Sequence, residues 1–325
     1  MSDQHFRPPG PLGFGGAPLG NMFAAIDEPT AASALEAAWE TGVRYFDTAP
    51  HYGQGLSKHR FGHVLRRYPR DEFVLSTKVG RLLNADANAL ENPPFIDGLP
   101  FRVEYDYSYD GTMRSVEDSL QRLGLARIDV AFIHDIAADA HGKGWTELFE
   151  IAMNGAAKAL VRLREEGTIK GWGLGVNLTE PCLRTLEQSD PDVFLLAGRY
   201  SLLDFAALDD LFPACETRGV HVVIGGPYNS GLLAGGRTFD YEDAPPEKIA
   251  ARDRIASLAA EHDVDLRAAA LQFCAAHPVV ASVIPGAKNA ERVRANAELM
   301  RQPIPASFWS ALRSDEILPP GAPTP

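Results

Sequence analysis

Leu123-Gly124-Leu125-Ala126-Arg127-Ile128-Asp129-Val130-Ala131-Phe132-Ile133-His134-Asp135 is the stretch from which the fold is read. Upstream of it, Met113, Val116, Leu120 and Leu123 recur at helical spacing. Gly124 supplies the left-handed conformation that ends such a helix. The apolar run from Ile128 to Ile133 then has the length and β-branching of a buried strand, and it closes on two polar residues. The same unit recurs along the chain. Glu40-Thr41-Gly42 leads into Val43–Phe46, Arg70-Asp71-Glu72 into Phe73–Ser76, and Glu166-Gly167-Thr168 into Ile169–Val176. Arg218-Gly219 leads into Val220–Ile224, and His277-Pro278 into Val279–Ile284. Leu12–Leu19 and Val193–Leu196 are further strand candidates. Helical stripes lie between them, such as Ala34, Leu35, Ala38 and Trp39 behind Pro29, or Ala159, Leu160 and Leu163. Alternation of this kind implies parallel strands with helical crossovers. About eight such units make an α/β fold closed as a (β/α)8 TIM barrel.

The chain has 325 residues, 45% of them hydrophobic, which is enough for a large buried core. It reads as one domain over 1–325, with the barrel at about 12–300 and a C-terminal segment at 301–325. No apolar run is long enough to span a bilayer. Met1-Ser2-Asp3-Gln4-His5 lacks the pattern of a secretory leader, and Cys182, Cys215 and Cys274 fit no disulfide or metal spacing. A cytoplasmic location is therefore expected, with no membrane partner. The net charge of -12 repels phosphate backbones and argues against nucleic acid as a partner. No metal is expected, since the nine histidines are not set in a recognisable metal-binding motif.

Two segments break the rhythm. Gly80–Gly111 reads as a long irregular loop rich in Pro and aromatic residues, and Ala137–Gly144 begins a second insertion. Both follow predicted strands and are expected over the C-terminal mouth, where barrels of this kind place their chemistry. The strand ends converge there too. Asp47, Lys78 and His134 each close a strand, and Tyr52 follows Asp47 in the turn Tyr52-Gly53-Gln54-Gly55. These four form a candidate catalytic set. A tyrosine ionises near pH ~10 when unperturbed. A nearby ammonium is expected to lower that value, a carboxylate to hold the ammonium, and a histidine to donate to a substrate oxygen. Such a set suits proton exchange at a carbonyl or alcohol oxygen while hydride moves at carbon.

With these residues in view, the chain resembles the aldo-keto reductase family. Gly42–Gly53 resembles the signature around that family's catalytic Asp and Tyr, Ser76-Thr77-Lys78 its lysine strand, and Ile133-His134 its histidine strand. The resemblance runs from about Gly13 to Met300. It implies an NAD(P) cofactor bound without a Rossmann domain. By the same resemblance, Asn177 after Gly173-Leu-Gly175-Val binds the nicotinamide carboxamide. Ser230, Gly231 and Leu233 cross the pyrophosphate, and Gly286, Lys288, Arg292 and Asn296 sit at the adenosine end.

This sequence departs from the family at three places. Ile224-Gly225-Gly226-Pro227 replaces the aromatic residue that stacks on nicotinamide, so stacking is assigned to Tyr228 or Tyr200. Ala197 falls where the family has a carboxamide-binding Gln. Gly286 stands where NADP-preferring members carry a cation, so NAD is expected, with NADP as the alternative.

Gly16–Asn21, Asp106–Asp110 and Arg199–Asp204 resemble the aldose dehydrogenase branch, whose members oxidise a cyclic hemiacetal to a lactone; enzymes acting on pyridoxal belong with it. The resemblance implies a small-molecule sugar or aldehyde as partner. His51, Asp135 and Tyr107 are the candidate substrate contacts. A monomer or weak homo-oligomer is expected. Rival readings are a cofactor-sensing barrel without turnover and a Schiff-base aldolase working through Lys78.

Overall fold

The computed structural model describes residues 5–89 and 93–325. Met1–Gln4, on which the reading of the N-terminus rests, lie outside them, as do residues 90–92 of the loop after Gly80. Eight strands form one parallel sheet in chain order: β1 (Phe14–Gly15), β2 (Tyr45–Asp47), β3 (Val74–Val79), β4 (Val130–His134), β5 (Gly171–Val176), β6 (Val193–Ala197), β7 (His221–Gly225) and β8 (Val280–Ile284). The ring closes where Leu12 bridges Val283 and Gly15 bridges Gly286, both in parallel. The chain is therefore a (β/α)8 barrel.

Local chemistry sets the ends of the units. Asp27 caps helix α1 (Glu28–Glu40) by accepting the Thr30 N–H at 2.9 Å. Helix α2 is Leu56–Leu65. Ser108 caps α3 (Tyr109–Leu123) in the same way, and Gly124 ends it in the left-handed conformation at φ 61°. Strands parallel to both neighbours bury both faces. Inward-facing Tyr45, Val74, Val130, Phe132, Val193, Leu195, Val223 and Ile284 fill the barrel, and Phe6 packs against them. The outward faces carry the helices through a larger cluster that includes Phe46, Leu75, Ile133, Leu174 and Leu196.

One expectation is corrected. Gly80–Gly111 is not an irregular loop throughout, because Arg81–Ala85 pairs antiparallel with Phe101–Tyr105. Gly80, at φ 95°, turns the chain off β3, and a side chain there would run into the Tyr107 ring. The ribbon leaves a weak sequence signal because its second strand is half-exposed and exposed along its whole length. The insertion after β4 contains a short helix, Ala138–His141, and buries Trp145 and Phe149 beyond it.

Candidate active site

Asp47 is the last residue of β2 and Lys78 the fifth of β3, and parallel pairing places Asp47 beside Ser76. Lys78 Nζ donates to Asp47 Oδ2 at 2.6 Å and to the Thr48 carbonyl at 3.2 Å. Ser76 Oγ donates to the other Asp47 oxygen at 2.6 Å. Asp47 and Lys78 are each 1% exposed, so the pair is held inside the barrel rather than in solvent. Tyr52 comes from the turn between β2 and α2, which is anchored where Ser57 donates to the Gly16 carbonyl at 2.8 Å. Lys78 Nζ stands 4.9 Å from the centre of the Tyr52 ring. The His134 ring lies 6.2 Å from the Tyr52 ring, centre to centre, and Phe95 lies 5.7 Å from it. Side chains from three separate stretches of the sequence thus share one end of the barrel.

The electrostatics correct one expectation. Burial pushes the Tyr52 phenol well above its ordinary value, the Asp47 and Asp135 carboxylates push the same way, and the Arg81 cation only opposes them. The Lys78 ammonium is paired with Asp47 at hydrogen-bond distance. Tyr52 is therefore a protonated donor in this state. Burial, together with the Arg81 and Lys78 cations, holds His134 well below the usual imidazole range, so it is neutral. The same three causes bring His51 down to about 3.

Arg81 is the residue that sequence reasoning missed. It lies three positions after Lys78, is 4% exposed, and reaches His134 Nδ1 at 2.7 Å and Asp135 Oδ2 at 2.8 Å. An arginine following Gly80 at the end of a catalytic strand was the only available signal.

Among the expected substrate contacts, His51 packs edge-on to Phe95 at 5.0 Å and faces His134 at 6.1 Å. Asp135 lines the same mouth, with its side chain 18% exposed. Tyr107 does not line it. It is 2% exposed, and its hydroxyl donates to the His134 carbonyl at 2.9 Å and contacts His141 Nε2 at 2.8 Å. Packing beneath the strand end takes it out of the substrate set.

Among the expected cofactor contacts, Asn177 follows β5 and its amide donates to Asp139 at 2.8 Å. The Tyr228 hydroxyl donates to Asn296 Oδ1 at 2.9 Å, which links the β7 turn to the helix after β8. Lys288 and Arg292 are exposed on that side. The Ser230-Gly231 turn is left-handed, at φ 55° and 104°, and open space lies where a Gly231 side chain would be. Two expectations fail here. Tyr200 is wholly buried against Phe212 and Phe273, so it cannot stack on a nicotinamide. Leu233 is 1% exposed and gives its N–H to the Tyr228 carbonyl, so it has no donor left for a pyrophosphate. A β-carbon on Gly286 would lie 2.8 Å from Pro18 Cγ, which explains why no cation is carried there.

The sequence profile of the aldo/keto reductase family matches residues 11–316. The chain belongs to this family and is an oxidoreductase. It is 43% identical to pyridoxal 4-dehydrogenase of Microbacterium luteolum, covering 94% of each chain. It is 38% identical to D-threo-aldose 1-dehydrogenase of a Pseudomonas species, covering 95% of this chain and 94% of that one. Among solved structures, the holo form of an aldo-keto reductase from Bacillus halodurans superposes with a TM-score of 0.71 at 27% identity, covering 96% of this chain and 95% of that one. Among the described residues no helix is long and apolar enough to cross a membrane.

Proposed function

We propose that this protein is an NAD(P)-dependent dehydrogenase of a cyclic hemiacetal, an aldose in the first place, which it converts to the lactone. The observation that carries the reading is the Lys78 ammonium, fixed by Asp47 and standing over the Tyr52 ring with His134 alongside. Asn177, Ser230, Gly231 and Arg292 are the residues that would hold the dinucleotide, and the open space beside Gly231 supports that assignment. NAD(P), when bound, supplies the acceptor for the hydride leaving the anomeric carbon. Tyr52, in its deprotonated form, takes the proton of the anomeric hydroxyl, so that the C–H bond breaks as the C=O bond forms. His134 donates to the same oxygen and orients it. Lys78 and Asp47 hold the phenol in place and provide the charge beside it. In the reverse direction Tyr52 returns the proton to the carbonyl oxygen, for which its protonated state prepares it. Lys78, engaged by Asp47 and Thr48, is not presented as the free amine that a Schiff-base aldolase needs.

A second reading places pyridoxal in the same role, since its cyclic hemiacetal undergoes the same oxidation. The aromatic wall of His51, Phe95 and Tyr52 suits a flat ring, and the 43% identical relative acts on pyridoxal by name. Initial rates with L-fucose, L-galactose, D-threo-aldoses, pyridoxal and small aldehydes, each with NAD and NADP, test both readings. Lactone formed from a sugar supports the first, and turnover of pyridoxal alone replaces it with the second. No nicotinamide-linked turnover of any hemiacetal ends both.

A further inference from the structure

We propose that Arg81 acts as a positioning residue that fixes His134 as the Nε2–H tautomer, and so aims a hydrogen-bond donor at the reacting oxygen. The inference rests on the reading above, in which His134 meets that oxygen. Its basis is geometric. The Arg81 guanidinium carries donors only and cannot accept a proton from a ring nitrogen. At 2.7 Å from Nη1, His134 Nδ1 must therefore present its lone pair, and the ring proton sits on Nε2. Nε2 is 3.5 Å from Asp135 Oδ2, too far for a committed hydrogen bond, so its proton is available to an oxygen entering the mouth.

The arginine is itself held on several sides. Nη1 pairs with Asp135 Oδ2 at 2.8 Å, Nη2 donates to the Tyr105 hydroxyl at 3.2 Å, and the guanidinium lies 5.0 Å over the Tyr105 ring. Gly80 makes the turn that brings it there. Asp135 is a non-glycine residue at φ 50°, a strained conformation, and its carboxylate lies beside both arginine and imidazole. Tyr107 grips the other end of His134 by donating to its carbonyl. The titratable and charged groups around the imidazole are Arg81, Lys78, Lys58 and Asp135, with His51 and Tyr52 packed beside it. Of the cations, only Arg81 donates to its Nδ1.

Nitrogen NMR of the full-length chain labelled with 15N-histidine reads the tautomer directly, and His134→Gln identifies the signal. The wild type is expected to show neutral His134 with the proton on Nε2. Arg81→Met is expected to show mixed tautomers, with kcat lower by roughly 10- to 100-fold and a much smaller change in KM and cofactor affinity. Arg81→Lys, which also only donates, is expected to restore the Nε2–H tautomer and part of kcat. An unchanged tautomer and kcat in Arg81→Met overturn the proposal. So does a wild-type His134 protonated on Nδ1, which decides the matter even where Arg81→Met fails to fold. Because the spectrum needs no substrate, an error in the assigned reaction leaves this readout intact, and the two failures are distinguishable.

Discussion

Lys78 Nζ lies 2.6 Å from Asp47 Oδ2, with both side chains inside the barrel, and that contact decides what the ammonium can do to its neighbour Tyr52. A lone buried lysine would pull the proton off a phenol. A lysine already answered by a carboxylate at hydrogen-bond distance positions the phenol and leaves it protonated. In the proposed reaction the protonated phenol serves carbonyl reduction, and hemiacetal oxidation draws on its deprotonated form, which grows as pH rises.

Tyr52→Phe removes the only hydroxyl assigned to proton transfer without altering the ring that Phe95 packs against. Turnover is expected to fall by roughly 10²–10⁴-fold in either direction. Cofactor affinity, measured by fluorescence titration, should hardly change, because Tyr52 is on the substrate side. Undiminished kcat would remove Tyr52 from the mechanism.

The pH dependence has a definite sign. Burial and the Asp47 and Asp135 carboxylates raise the Tyr52 phenol, so its deprotonated form grows as pH rises. The rate of hemiacetal oxidation should climb with pH from neutral into the alkaline range, while carbonyl reduction is favoured toward neutral. Initial-rate profiles of the wild type and Tyr52→Phe test this, and the variant should lose the climb.

Asp47→Asn leaves the Lys78 ammonium buried without a counter-charge. Breaking one side of such a pair costs about 3–5 kcal/mol. Urea unfolding should show a loss of that order, together with a steep fall in kcat. Asp47→Asn with Lys78→Met together should recover part of the stability and none of the activity.

Arg60, on α2, is 5% exposed and donates to the Leu19 and Ile26 carbonyls, to Asn21 Oδ1 and to Glu28 at 2.7–2.8 Å. The segment it ties down bridges Phe95 through Met22, and Phe95 covers Tyr52 and His51. Arg60→Met strands several buried acceptors and should destabilise the protein by about 2–4 kcal/mol. Because Phe95 loses its support, KM for substrate should rise more than kcat falls.

Gly286 leaves no room for a cation beside Pro18, so NAD should bind more tightly than NADP. The exposed Arg292, at the start of the helix after β8, is a candidate for a 2′-phosphate, with Lys288 also exposed nearby. Arg292→Ala should weaken NADP binding and leave NAD nearly unchanged, as read by calorimetry with each dinucleotide.

The sequence by itself determined the barrel and the positions of Asp47, Lys78 and His134 at its strand ends. Both are legible because helical and extended periodicities are local, and because parallel strands joined by helices have few ways to close. What lies at a strand end must then face the mouth. Only the tertiary structure decided that Arg81 reaches His134, that Tyr107 lies beneath it, and that Tyr200 is core rather than a wall of the cofactor groove. It also decided that the Lys78 ammonium is paired with Asp47. The reason is the same in each case. A side chain's partner across the barrel depends on strand register, on the angle at which a turn such as Gly80 leaves the sheet, and on which neighbour reaches it first. None of these leaves a periodic trace in the chain.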